Sequence, residues 1–282
     1  MAVSRIHSSD TQIFVSGQRL KGITDFSFSK TREPVDIRDL HSLYISDRIN
    51  SNAESVEANL SWVLGSGISD PFFDFYSSGI FSVEKFSLEA KDLTGTNVFS
   101  GAYVNSYEIS ASVGELVKGS ISYEVDQHTL TTGRLRYSDQ TNDVASGFSV
   151  FVPKHITVTS SGIECGITST ELVIQSLSFS IPIPRKKINK LGSTIPKIRY
   201  PELPIIGDLN ISVSKNDFIS AENATVLQKG TMTVSLKDCT KMAEKIYTFS
   251  DCNLVSFSES LGLDGNATID FNYKFKPTTS FS

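Results

Sequence analysis

"FSFSKTREPVDIRDL" occupies residues 26 to 40, and "LSFSIPIPRKKINKL" occupies residues 177 to 191. The two stretches stand 151 residues apart, and each is an alternating run of apolar residues and serine that leads into a charged, proline-bearing segment. At the same offset "EANLSWV" (57 to 63) falls on "DLNISVS" (208 to 214), so Asn59 meets Asn210 and Leu60 meets Ile211. The insertion "VLGSGIS" in the first half then slips the register to an offset of 146. There "SDPFFDFY" (69 to 76) meets "KNDFISAE" (215 to 222), "SLEAKD" (87 to 92) meets "TVSLKD" (233 to 238), and "VGELVKGSISYEV" (113 to 125) meets "ESLGLDGNATIDF" (259 to 271). One gap that aligns so much chain is the mark of an internal repeat, and two copies are too few for a solenoid. The expected organisation is a first domain over residues 1–131, a polar linker over 132–147, and a second domain over 148–282.

Periodicity gives the expected elements. "ITDFSFS" sets Thr24, Phe26 and Phe28 against Ile23, Asp25 and Ser27, and the second copy puts Val173, Leu177 and Phe179 on the corresponding face. Phe86, Leu88 and Ala90 alternate with polar residues, as do Met232, Val234 and Leu236, so these too are half-buried strands. In "SDPFFDFYSS", Ser69 or Asp70 can cap and Pro71 fits a first helical position, predicting one short α-helix, with Asn216 as the cap in the second copy. Asp264 and Gly265 suit a tight hairpin between the last two strands. The expected fold class is mainly β: two tandem antiparallel sandwich or barrel-like domains, each with one short helix and a long arm between strands.

The arms run over residues 31–50 and 182–206. Connections this long are uncommon in compact domains and are usually functional. The first carries Val35, Ile37, Leu40, Leu43, Tyr44 and Ile45; the second carries Ile188, Leu191, Ile195, Ile198, Tyr200 and Leu203. Apolar side chains on a projecting arm need a covering surface, and a neighbouring subunit is the natural one.

Composition narrows the function. The charged fraction is 20 % and the net charge −5, which argues against a surface built to grip phosphates. No apolar run is long enough to span a membrane, and "MAVSRIHSSDTQ" lacks the pattern of a secretory signal. Cys165, Cys239 and Cys252 lack metal or redox spacing and are expected to be buried free thiols. His7, His41, His128 and His155 lie far apart, with no GxSxG, HExxH or phosphate-cradling loop beside them. Asp92 and Asp238 each follow a lysine at a strand end and read as turn residues. The basic run "RKKINK" at 185–190 could pass for a nucleic-acid patch, but acidic surfaces on adjacent subunits would be sufficient partners. Trp62 takes a strand position held by Val213 in the second copy, which burial explains. No catalytic, metal or cofactor site is expected.

With its paired N-terminal strands leading into an arm, "IFVSGQRLKGITDFSFSKTREPVDIRDL" (13 to 40) resembles the tail tube proteins of long-tailed bacteriophages, relatives of the type VI secretion tube proteins. The resemblance implies a structural virion protein with two tube domains per chain. Homotrimers of pseudo-sixfold symmetry would stack into a tube, with a hexamer as the alternative. Viral DNA would pass through the lumen without specific binding. The implied partners are other tail proteins such as the tape measure, terminator and tail tip, with assembly in the host bacterial cytoplasm, localisation in the virion tail and no membrane contact. The competing readings are a tail completion or hub protein forming a single ring, a β-rich binding module for carbohydrate, and an enzyme, for which no constellation was found.

Overall fold

A computed structural model describes residues 11–31, 34–38, 45–50, 55–66, 85–92, 95–133, 149–161, 174–188, 196–214, 230–240, 244–261 and 267–277. The chain is mainly β. The first half contributes β1 (Gln12–Val15), β2 (Gln18–Arg19), β3 (Ile23–Thr31), β4 (Pro34–Arg38), β5 (Ile45–Asn50), β6 (Ser55–Val63), β7 (Gly65–Ser66), β8 (Phe86–Lys91), β9 (Thr96–Ser112) and β10 (Lys118–Thr131). After β11 (Ser149–Val150) and a 3-10 turn at Pro153–His155 come β12 (Thr157–Ser161), β13 (Ile174–Pro182), β14 (Arg185–Ile188), β15 (Ile198–Pro201), β16 (Gly207–Ser214), β17 (Gly230–Lys237), β18 (Glu244–Leu261) and β19 (Ala267–Lys276). Both segments expected to hold short helices, 69–76 and 215–222, lie outside the described residues, as does most of the expected linker.

Thirteen strands form one antiparallel sheet, ordered β12-β17-β18-β19-β16-β13-β9-β10-β6-β3, with β8 on the first part of β9 and β1 beyond it. The first half therefore runs β1-β8-β9-β10-β6-β3 and the second β12-β17-β18-β19-β16-β13, the same order of pairings. Register agrees over the middle of these strands, although β18 carries a further irregularity between Ser250 and Asn253 that β9 lacks. Lys118 opposite Val63 corresponds to Thr268 opposite Ser214, offsets of 150 and 151. Tyr103 opposite Glu124 corresponds to Asn253 opposite Lys274. One residue on the longer strand is skipped at the same place in each half, Asn105 in β9 and Val255 in β18. Near the end of the chain the structure thus aligns the halves at 150, where the sequence alignment suggested 146. Loop insertions on either side of β17 redistribute the gap, and backbone pairing follows the pleat rather than the gap count.

Alternation makes each strand two-faced. In β6, Val56, Ala58, Leu60 and Trp62 are buried while Glu57 and Asn59 are exposed. Each half curls so that its last strand packs across the start of its longest one: Phe28 lies 5.2 Å from Phe99, and Phe179 lies 5.0 Å from Phe249. One continuous apolar core includes residues of both halves. The expected inward sets Phe86, Leu88, Ala90 and Met232, Val234, Leu236 are all buried in it. The last two strands pair antiparallel as expected, with Leu261 opposite Ala267.

The halves meet where β13 pairs with the second part of β9. Leu177 stands opposite Ala111, Phe179 opposite Ile109, and Ile181 opposite Tyr107, all six buried. A fully buried Leu, Ile or Phe contributes about 1.5–3 kcal/mol, so this junction is a core in its own right.

Candidate assembly interface

The join between β13 and β9 leaves its two counterparts open. β3 corresponds to β13, yet among the described strands it pairs with β6 alone. Among the described strands the later part of β18, corresponding to the part of β9 that takes β13, pairs only with β19. Apolar side chains emerge beside both strands: Phe28 on β3, and Val255 and Phe257 on β18. An edge of nine residues with no proline within it is a template for further pairing.

The sheet face away from the core is a serine-rich surface. One row crosses it through Asp25, Ser61, Ser120, Glu108, Ser180, Asp208 and Lys274, each opposite the next. A second runs through Lys118, Ser110, Ser178, Asn210, Asn272 and Ser256. Acidic and neutral groups dominate, and the lysines are dispersed. Lys274 is neutralised by Asp208 at 2.7 Å.

Both arms form separate two-stranded hairpins, β4 with β5 and β14 with β15. Asp36 stands opposite Arg48 in the first, as Lys187 stands opposite Arg199 in the second. The second hairpin is anchored at its root to the first half of the chain. Arg199, buried, pairs with Glu124 at 2.6 Å and with Asp126 at 2.9 Å. Lys187 also pairs with Glu124, and the Arg185 Nε donates to the Val104 carbonyl at 3.2 Å. The Arg185 and Arg199 guanidinium groups lie over the Tyr103 ring at 5.2 and 5.3 Å. Lys85 pairs with Asp126, and its ammonium is held above its ordinary range first by a hydrogen bond with Tyr103.

Of the arm residues singled out from sequence, Ile188, Ile198, Tyr200 and Leu203 are exposed, Leu203 at 74 %. Val35 and Ile37 lie on β4, and Ile45 opens β5. Leu40, Leu43, Tyr44, Leu191 and Ile195 lie outside the described residues. The anchoring set Tyr103, Glu124, Asp126 and Arg199 was not singled out from sequence. Its one signal was the basic run, and for Lys187 the acidic partner is within the same chain.

Cys252 is buried, and desolvation pushes its thiol up to about 12, whereas Cys239 is exposed, unlike the buried thiol expected of it. Cys165, His7 and His41 lie outside the described residues. Asp92 accepts from the Gly95 backbone and Asp238 from the Thr240 hydroxyl, the bonds of turn residues. Among the described residues no group of three or more His, Cys, Asp or Glu could hold a metal ion, and no helix is long and apolar enough to cross a membrane. No protein-family model matches the chain, and no curated protein matches it in sequence.

Proposed function

We propose that this chain is a structural ring-forming subunit, a major tail tube protein with two tandem tube domains. The observation that carries this reading is the join inside the chain. Two halves with one strand order meet through β13 and β9, and the counterparts of those strands, β3 and the later part of β18, are left as edges at opposite ends. Repeating the join between chains places Phe26 opposite Leu261, Phe28 opposite Glu259 and Lys30 opposite Phe257. A heterologous contact of this kind generates a ring when its rotation closes, and closure removes the edges.

Three copies supply the six positions of the ring that the resemblance implies. The serine-rich face then lines the lumen. Along the two described rows Lys118 and Lys274 stand apart among acidic and neutral groups, so DNA passing over them would be enclosed without being gripped. The role is architectural rather than enzymatic, with the tape measure, terminator and tail tip as further partners in the virion tail.

Electron microscopy of the concentrated protein tests this. Stacked rings with threefold end-on symmetry and six lobes are expected. Single rings would reassign the chain to a completion or hub role, and monomers at every concentration would overturn the reading.

A further inference from the structure

We infer that the β14–β15 hairpin is a clasp that locks the two halves of one chain at a fixed angle, so that the chain enters a ring as a rigid arc. The locked angle is a property of the single chain, and its consequence for assembly rests on the ring reading.

A join made only by the β13–β9 ladder would be free to rotate. Its seven residue pairs lie along one line. Paired strands vary in mutual twist over about 10–35°. A ring of six positions turns by about 60° at each, so variation of that size at a join changes how many positions close it. Holding the angle takes contacts on both faces of the sheet. On the core face Leu177, Phe179 and Ile181 supply them.

The hairpin supplies them on the other face. Val125 points into the core, so Glu124 and Asp126 on either side of it point away. Beyond the ladder the chain follows β9, the Ile183 amide donating to the Asn105 carbonyl at 2.7 Å and the Arg185 Nε to that of Val104. It then crosses β9, and Arg199 meets Glu124 and Asp126 on β10, two strand spacings or about 10 Å from β13. Tyr103, on the strand being crossed, is 2 % exposed yet stands outside the apolar core. The Arg185 and Arg199 guanidinium groups cover its ring. Rotation about the ladder in one direction compresses the core, and in the other it draws Arg199 off both carboxylates and leaves buried charges without partners.

The device belongs to the join inside the chain. Tyr103, Glu124 and Asp126 have Asn253, Lys274 and Lys276 as their counterparts in the second half. The acidic pair is missing there, and the two lysines are engaged by Asp208 and Asp251. A join built on these residues cannot be braced in the same way, so the whole chain, not the half, is the rigid unit.

Distances between spin labels at Leu130→Cys and Ser258→Cys, exposed sites in the first and second halves, test the clasp in the folded monomer, with Cys165→Ser and Cys239→Ser to prevent stray labelling. One narrow distribution is expected. Asp126→Asn with Lys187→Met removes the ion pairs of both residues while leaving Arg199 with Glu124. It is expected to broaden the distribution about twofold or more, with the circular dichroism spectrum unchanged. Lys187→Arg, which keeps the charge, should leave it narrow. Should the double variant not fold, Lys187→Met alone, at a side chain 37 % exposed, is the milder probe and should broaden it in the same direction. A distribution that stays narrow in these variants, or is already broad in the unaltered chain, overturns the clasp and leaves the ring reading standing. In micrographs the unlabelled double variant should give arcs and rings of mixed size, and uniform six-lobed rings from it would overturn the link between clasp and closure. A wild-type chain with a narrow distribution that never assembles overturns the ring reading alone.

Discussion

Gly119 lies directly opposite Trp62 on paired strands, and a Cβ at Gly119 would stand 2.4 Å from the indole ring. At the same place in the second half Ile269 stands opposite Val213. A large–none pair in one half thus occupies the place of two medium side chains in the other. The arrangement recurs in the second half, at the other end of the corresponding strand pair, where Gly207 opposite Phe275 replaces Val56 opposite Val125. Close packing explains both, since volume can be redistributed across a pair but not added to it.

Gly119→Ala is accordingly expected to cost about 1–3 kcal/mol through overpacking, measured by denaturant unfolding. Trp62→Val together with Gly119→Ile, the pair found in the second half, is expected to be less destabilising than the sum of the two single changes.

Arg199 is shared by two carboxylates that burial would otherwise leave strongly penalised. Arg199→Met should destabilise the chain by about 3–5 kcal/mol in the same measurement. Arg199→Lys should recover only part of this, because an ammonium cannot reproduce the fork that meets Glu124 and Asp126 together.

His128 stacks on Phe99 with ring centroids 4.9 Å apart, and its Nε2 lies 3.0 Å from the Asn97 Oδ1. Burial, and then the nearby Lys30 charge, hold the imidazole below its ordinary pKa of 6.5. The folded state therefore favours the neutral ring. That contribution is present above pH 6.5 and is lost as pH falls through the depressed folded value. Unfolding curves across this range should show a decline in stability that His128→Gln reduces.

Phe257 is 45 % exposed, on the part of β18 that carries no partner but β19 among the described strands. Phe257→Asp should leave the circular dichroism spectrum of the monomer unchanged and abolish larger species in sedimentation. Retained assembly would count against pairing of β3 with β18 between chains.

The two-faced strands were legible because each depends on residue order along one segment. Leu88 and Ala90 had to face a core whatever lay on the other side. The anchoring of the second arm was not legible in the same way. Arg199 lies more than seventy residues from Glu124 and Asp126, and nothing local distinguishes the three from other charges on a strand or a hairpin. Even the end of the repeat was misaligned by four residues, since weak sequence identity there left the gap free to move.

What the sequence by itself determined was a mainly β chain of strands with alternating faces, a property of local residue pattern. Only the tertiary structure decided which half an arm rests on, which strands meet at the junction and which are left as edges. Those outcomes depend on cross-strand register, which brings distant residues opposite one another and fixes which charges and volumes must compensate.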